Sequence, residues 1–228
     1  MKRSKVNEII RAGDEFIRSH GFVLPPFAYW TPEEMMDRRP VIGGIVGARL
    51  GWDITDYGQE RFDELGLFLF TVRNGSEEDL RRGSGMCYAE KIMISRKDQL
   101  SPMHRHIVKA EDIINRGGGK LALKLYNSDA EGHIDYRSDV EVATDGVLRR
   151  QEAGAVLRLA PGESVTLLPG NWHAFWGEGA DVLIGEVSTV NNDLTDNIFA
   201  DPIGRFAEIE EDEDPLHLLV SDYPRWFG

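Results

Sequence analysis

The sequence has one cysteine and no apolar run that approaches the ~20 residues needed to cross a bilayer. Cys87 cannot form an internal disulfide, which is typical of a reducing compartment. The basic residues 1–5 are not followed by the apolar core of a signal peptide. We therefore expect a cytoplasmic protein with no membrane partner.

Basic residues are also scarce relative to acidic ones. The chain has 26 Lys and Arg against 39 Asp and Glu, a formal net charge of −13. Such a charge repels a polyanion on average, so we expect no nucleic-acid partner. A small neutral or cationic ligand is favoured, although the local field of a metal site would still accept an anion.

The N-terminal residues have the spacing of helices. Apolar residues recur at helical intervals from Val6 to Ile17, and Gly21 is a plausible stop. Thr31 precedes Pro32 and has Glu34 three residues later, which predicts a capped second helix.

From about residue 46 the pattern changes to short apolar runs separated by turn residues. We predict strands at residues 67–72, 86–95, 120–126, 140–144, 155–159, 164–168 and 181–187. Many short strands indicate a mainly β sandwich or small barrel, with the N-terminal helices packed outside. We expect one domain over residues 1–228, with a helical extension at about 1–45 and an acidic segment at about 205–228.

A candidate metal site lies in the middle of the chain. His104 and His106 are two residues apart, so both imidazoles would point to one face of a strand. Glu111 follows at a distance that allows a bend to return it beside them, and His173 follows a strand and a Pro-Gly turn. Two or three histidines with a carboxylate suit Mn²⁺, Fe²⁺, Co²⁺, Ni²⁺ or Zn²⁺.

These residues resemble the two motifs of the cupin superfamily. The matching patterns are His104-x-His106-x(4)-Glu111-x(6)-Gly118 and Gly162…Pro169-Gly170-x(2)-His173. Three motif positions differ: Asp98 replaces a glycine, the proline is shifted by one place, and Gly177 replaces an asparagine. The resemblance implies a cupin-type β-barrel, also called a double-stranded β-helix or jelly roll, with those four residues as metal ligands.

A narrower resemblance covers nearly the whole chain. Residues 111–119 (EDIINRGGG) resemble the D-lyxose isomerase family, and so do residues 1–4, 24–28, 50–53, 71–75, 87–93 and 185–188 and the acidic tail. The family implies a Mn²⁺-dependent aldose–ketose isomerase that acts on D-lyxose and D-xylulose, and commonly on D-mannose and D-fructose. The reaction moves a proton between C1 and C2, through an enediol or by a metal-assisted hydride shift.

Six further residues are candidates for the chemistry of such a site. We assign catalytic roles to Lys109, which lies between the ligands, to Glu186 on an apolar strand, and to Glu211 in the tail. We expect a nearby cation to lower the pKa of Lys109. Substrate contacts are assigned to Lys91, Arg205 and Trp172; structural hydrogen bonding competes with function for Glu186 and Lys91, and core packing for Trp172.

Two other functions are compatible with the same ligand pattern. One is an Fe(II) cupin dioxygenase, and the other is a sugar-binding cupin without catalytic activity. In each case the partner is a small molecule, and a homodimer is the default assembly.

Overall fold

Twelve antiparallel strands are the main secondary structure of the computed structural model, which describes residues 1–228. The strands are β1 Gly51–Thr55, β2 Leu67–Asn74, β3 Tyr88–Ser95, β4 Ser101–His106, β5 Glu111–Ser128, β6 Ile134–Asp135, β7 Val140–Thr144, β8 Val147–Gln151, β9 Val156–Leu159, β10 Ser164–Leu167, β11 Trp172–Thr189 and β12 Asn197–Phe199. The helices are α1 Arg3–Ser19, α2 Pro32–Asp37, α3 Gly43–Gly47, α4 Glu77–Arg82 and α5 Tyr223–Phe227, with a 3₁₀ turn at Pro26–Tyr29. The mainly β fold predicted from the sequence is confirmed.

Two long strands organise the barrel. The central order is β1-β2-β3-β11-β5-β10-β7-β8, and β11 and β5 pair along most of their length. Because side chains alternate between the two faces of a strand, one face of this sheet encloses an apolar core of 17 buried residues that includes Ile113, Leu123 and Phe175. The cavity described below opens at one end of that core.

Helix α1 packs on the outer face of the sheet, as predicted. Val6, Ile9, Ile10 and Ile17 are buried on one side of α1 and join a second core with residues of β1, β2 and β3. Gly13 lies so close to Phe68 that an added Cβ would stand 2.3 Å from the ring. This contact lets the helix backbone approach the sheet closely. None of the helices is long and apolar enough to cross a membrane.

Local signals at the helix ends agree with the structure. Thr31 and Glu34 form a complete capping box at the start of α2. Gly21, the predicted stop, lies two residues after the end of α1 with a φ of 76°, a conformation that suits glycine.

The strand predictions were right in position and too short in two cases. Residues 120–126 and 181–187 are parts of β5 and β11, which each run for 18 residues. Gly117 and Gly118, just before the predicted strand 120–126, have positive φ and continue β5 through an irregularity in pairing. Asp98, which replaces a motif glycine, has a φ of 59° and so retains a left-handed backbone.

Candidate metal centre

Three histidines converge where β4 meets β11. His104 and His106 project from β4, and His173 on β11 pairs directly with His104. The ring centroids of His104 and His173 are 4.1 Å apart, and those of His106 and His173 are 5.6 Å apart. One ring nitrogen from each of the three lies within 4.8 Å of the others, close enough to hold one metal ion.

The backbone orients each imidazole. The Nδ1 atoms of His104, His106 and His173 lie 2.8, 3.2 and 3.1 Å from the carbonyl oxygens of Pro102, Asp196 and Asn171. A proton on each Nδ1 donates to that carbonyl, which leaves the Nε2 lone pair free to bind a metal. The three rings are therefore held in one tautomer by groups outside the cluster.

Glu111 completes the cluster from the first position of β5. Its Oε1 lies 3.3 Å from Nε2 of both His106 and His173. Glu111 Oε1 and His106 Nε2 are buried and have no hydrogen-bond partner. Buried polar atoms without partners are costly, and a divalent cation between them would satisfy both.

The protonation states also suit a cation. Burial lowers the pKa of His104 well below its ordinary value and that of His173 to about 4, so both rings are neutral at pH 7. Burial alone would raise the pKa of Glu111, but the Lys109 ammonium and the neighbouring imidazoles hold it well below its ordinary value. Neutral imidazoles and an ionised carboxylate are the forms that bind metal.

The cluster lies in a cavity that is partly open to solvent. An apolar part of the wall includes Leu67, Leu69 and Phe175. Polar residues face the same space: Tyr57, Lys91, Ser101, Lys109, Glu186, Asp193, Asn197 and Arg205. Polar and charged side chains make up most of this lining, which suits a small polar ligand.

Lys109 and Lys91 join this cavity's carboxylates into one network. The Lys109 ammonium lies 2.6 Å from Glu111 and 3.0 Å from Glu186. The strand register places Glu186 opposite Lys91, whose ammonium is 3.5 Å from Glu186 and 3.7 Å from Asp193. Each buried charge therefore has at least one partner of opposite sign.

Arg205 extends the network toward the mouth. Its Nη2 lies 2.8 Å from Asp53 and 3.5 Å from Asp193, while its Nη1 is buried without a partner. Burial opposes ionisation of Asp193, but Lys91 and Arg205 lower its pKa far below the ordinary value. Burial also dominates at Asp53 and raises its pKa, despite the contact with Arg205.

Without a bound metal ion the pKa of Lys109 is raised, and the lowering expected from a nearby cation stays a prediction. Burial would lower the pKa, but the carboxylates of Glu111 and Glu186 outweigh it and raise the pKa of Lys109. Glu186 mirrors this: burial raises its pKa, while Lys109 and Lys91 bring it below the ordinary value. Lys109 is thus an ammonium and Glu186 a carboxylate at neutral pH.

Two predicted site residues lie elsewhere. Trp172 precedes His173 on β11 and points to the opposite side, where the Arg105 guanidinium lies 5.5 Å from its ring. Glu211 forms an ion pair at 2.8 Å with Arg3, a side chain that is 1% exposed, so it ties the tail to α1. Neither side chain lines the cavity that holds the histidines.

The sequence interpretation missed Asp193, Asn197 and Phe199, which line the mouth from the segment after β11. It also missed Asp53 and Tyr57. Asp53 had a detectable signal, because a carboxylate inside the otherwise apolar run 52–54 requires a partner. The residues after β11 carried no comparable signal, because they form a polar loop with one short strand.

Comparisons with known proteins agree with the resemblance in the sequence. The model of the D-lyxose isomerase family matches residues 1–223. The D-lyxose/D-mannose isomerase of Serratia proteamaculans is 46% identical over all of both chains. The D-lyxose/D-mannose isomerase of Escherichia coli O157:H7 is 44% identical over 98% of each chain.

Solved structures support the fold. An Acinetobacter sp. DL28 L-ribose isomerase variant in complex with L-ribose superposes with a TM-score of 0.62 at 13% identity, covering 92% of this chain and 98% of that one. Cellulomonas parahominis L-ribose isomerase with L-psicose has a TM-score of 0.61 at 15% identity and the same coverage. At these identities the likeness establishes the architecture alone.

Proposed function

The chain belongs to the D-lyxose isomerase family, and we propose that it is a divalent-metal-dependent isomerase that interconverts D-lyxose with D-xylulose and D-mannose with D-fructose. One observation carries the proposal most directly. Three histidines and Glu111, with His106 Nε2 and Glu111 Oε1 left without hydrogen-bond partners, lie in the same cavity as the buried pair of Lys109 and Glu186. Aldose–ketose isomerisation requires that combination of a charge-stabilising centre and a proton carrier.

Glu186 is the proposed base. Conversion of the aldose to the ketose moves a proton from C2 to C1 and a second proton from the O2 hydroxyl to O1, so that the carbonyl moves from C1 to C2. Glu186 is ionised at neutral pH because Lys109 and Lys91 lower its pKa, so its carboxylate is ready to accept the C2 proton and return it to C1. This assignment favours the enediol route over a hydride shift.

Lys109 is the proposed partner of the substrate oxygens. Its pKa is raised, so it acts as a charged donor and not as a base. An ammonium next to the reacting carbons stabilises negative charge that develops on O1 or O2. The same ammonium holds Glu186 and Glu111 in place through its two ion pairs.

The proposed ligands are Nε2 of His104, His106 and His173 and a carboxylate oxygen of Glu111. With every group ionised, Glu111, Glu186, Asp193 and Asp53 oppose Lys109, Lys91 and Arg205, leaving one net negative charge. When bound, a divalent cation such as Mn²⁺ supplies Lewis-acid polarisation of the sugar carbonyl. The mixed nitrogen and oxygen donors suit Mn²⁺ and are compatible with Co²⁺, Fe²⁺, Ni²⁺ or Zn²⁺.

Substrate binding is assigned to cavity side chains that are not proposed metal ligands. Arg205 Nη1 and Asn197 offer hydrogen bonds to sugar hydroxyls, and Lys91 orients Glu186 from behind. The apolar wall at Leu67, Leu69 and Phe175 suits the C–H faces of a sugar.

The test is an anaerobic sugar panel with metal-stripped protein, before and after Mn²⁺ is restored. We expect conversion of D-lyxose and D-mannose only with the metal, and solvent deuterium incorporation at C1 or C2 if an enediol forms. Oxygen consumption with a substrate would favour a dioxygenase, and sugar binding without turnover would favour a non-catalytic cupin. A His173→Ala variant serves as the metal-binding control.

A further inference from the structure

Asp196 is a buried carboxylate next to the cavity, but it does not line it. It is 8% exposed and lies in the segment 190–205, which follows β11 and carries Asp193, Asn197, Phe199 and Arg205 to the mouth. The proposed ligands and proton carriers do not include it. The proposed reaction therefore does not account for the contacts of Asp196.

The Asp196 side chain accepts hydrogen bonds from three consecutive backbone N–H groups. Oδ1 accepts from Ile107 at 2.9 Å and from Val108 at 2.8 Å, and Oδ2 accepts from Lys109 at 2.9 Å. Successive N–H groups that converge on one anion form a concave anion site of the kind used for phosphates. Here the protein supplies its own anion.

The loop held in this way connects the two parts of the candidate metal centre. It begins immediately after His106 and ends at Glu111, and it carries Lys109. The side chains of Ile107 and Val108 are 51% and 60% exposed, so the loop has little apolar packing to fix its shape. Its conformation therefore depends on hydrogen bonds more than on burial.

The backbone of Asp196 acts on the same region. Its carbonyl oxygen lies 3.2 Å from Nδ1 of His106 and orients that ring. The next residue, Asn197, begins β12 and pairs with His106. Asp196 thus contacts the ring of His106, a proposed ligand, and the backbone of Lys109, the proposed partner of the substrate oxygens.

We propose that Asp196 is a positioning residue for the isomerisation, because its carboxylate clamps residues 107–109 and thereby fixes the Lys109 ammonium and the His106 ring. The proposal rests on the proposed function for the roles of Lys109 and His106. The clamp itself is a property of the fold. It also couples the segment at the mouth to the metal-binding loop.

The substitution Asp196→Asn tests the two halves of the carboxylate separately. The amide oxygen still accepts from Ile107 and Val108, but the amide nitrogen opposes the N–H of Lys109. We expect kcat with D-lyxose to fall by about 100-fold, the cost of misplacing a reacting group by about 1 Å. KM should change by less than about threefold because Arg205 and the apolar wall are untouched.

Metal affinity gives a readout that is independent of turnover. Removing a group that orients a ligand typically weakens metal binding by about 10-fold to 100-fold. Both variants keep the backbone carbonyl that contacts His106. We expect Asp196→Ala, which loses all three hydrogen bonds to residues 107–109, to weaken Mn²⁺ binding by about 10-fold, and Asp196→Asn, which keeps two of them, to weaken it by less. Titration of the metal-free proteins with Mn²⁺ measures both.

Asp222→Asn is the matched control. Asp222 is also 8% exposed and accepts a backbone hydrogen bond, from Leu219, but it pairs with Arg3 at the C-terminal segment. We expect this variant to lose thermal stability while kcat and Mn²⁺ affinity stay within about twofold of wild type. The proposal is overturned if Asp222→Asn loses as much kcat as Asp196→Asn, or if Asp196→Asn keeps the wild-type kcat and Mn²⁺ affinity.

Hydrogen exchange of the wild-type protein tests the clamp without any variant. We expect slow exchange at the amides of residues 107–109 despite their exposed side chains, because all three N–H groups are bonded to Asp196. Fast exchange there would overturn the proposal even if no Asp196 variant folds. A wild-type protein without isomerase activity would instead refute the proposed function, while the exchange and Mn²⁺ measurements would still decide the role of Asp196.

Discussion

Glu186→Gln is the substitution that most directly tests the proposed base. Glu186 Oε1 lies 3.0 Å from the Lys109 ammonium and 3.5 Å from that of Lys91. At an effective dielectric constant of about 20, each contact has a gross Coulomb energy of roughly 5 kcal/mol, much of which offsets the cost of burying the charges. The amide has the same shape but accepts a proton poorly.

The substitution should affect rate far more than stability. Loss of a general base typically costs about 10²-fold to 10⁴-fold in kcat, equivalent to roughly 3–5 kcal/mol of activation free energy. Lys109 keeps Glu111 at 2.6 Å and Lys91 keeps Asp193 at 3.7 Å, so neither ammonium is left without a carboxylate. We therefore expect the free energy of unfolding to fall by only about 1–3 kcal/mol.

The assay is the initial rate of D-xylulose formation from D-lyxose at saturating Mn²⁺, with Mn²⁺ affinity measured separately. We expect affinity within about threefold of wild type, because Glu186 makes no contact with the histidines. Glu178→Gln is the control, since Glu178 lies on the same strand in an exposed pair with Arg158. If Glu186→Gln retains more than about a tenth of the wild-type kcat, Glu186 is not the base.

Four further outcomes are expected. His173→Ala should abolish stoichiometric Mn²⁺ binding and activity together, and metal retained at full stoichiometry would contradict the proposed ligand set. Lys109→Met should retain Mn²⁺ but lose at least about 100-fold in kcat, whereas near-normal turnover would remove Lys109 from the mechanism. The pKa of His173 falls from 6.5 to about 4 on folding of the metal-free protein, so between pH 4 and pH 6.5 the unfolded chain binds more protons than the folded one. The free energy of unfolding therefore rises with pH across that range, by up to about 3 kcal/mol. Thermal unfolding between pH 4 and pH 6.5 should show this slope, and an equal slope in His173→Gln would contradict it. Gly13→Ala should lower the free energy of unfolding by about 1–3 kcal/mol, because the clash with Phe68 outweighs the gain of about 1 kcal/mol in helix propensity; a more stable variant would show that α1 shifts freely.

Local patterns in the sequence were enough for the fold class and for much of the site. The alternating runs predicted a mainly β chain, and Thr31 with Glu34 predicted the capping box that α2 has. The family resemblance is confirmed by a match over residues 1–223. The spacing of His104 and His106 predicted two rings on one face of a strand, and both rings do point to His173.

Interpretation of the tail and of the aromatic residues was less successful. Glu211 was assigned to the site as a carboxylate of the acidic tail, but it pairs with Arg3 at the other end of the chain. Trp172 was assigned because it precedes His173, yet neighbouring residues of a strand face opposite sides. The two-residue period of a strand would have placed Trp172 on the opposite side from His173. Nothing in the sequence indicated that Glu211 pairs with Arg3.

The sequence by itself determined that His104 and His106 share a strand face and that α2 begins with a capping box, because these features depend on spacings of two or three residues. Only the tertiary structure decided which distant groups meet. Strand pairing places Glu186 opposite Lys91, and the segment after β11 returns Asp193 and Asp196 to a loop some 90 positions earlier. The contacts of Glu186 with Lys91 and Lys109 lower the pKa of Glu186, and Glu186 in turn adds to the effect of Glu111, a near neighbour along the chain, in raising the pKa of Lys109.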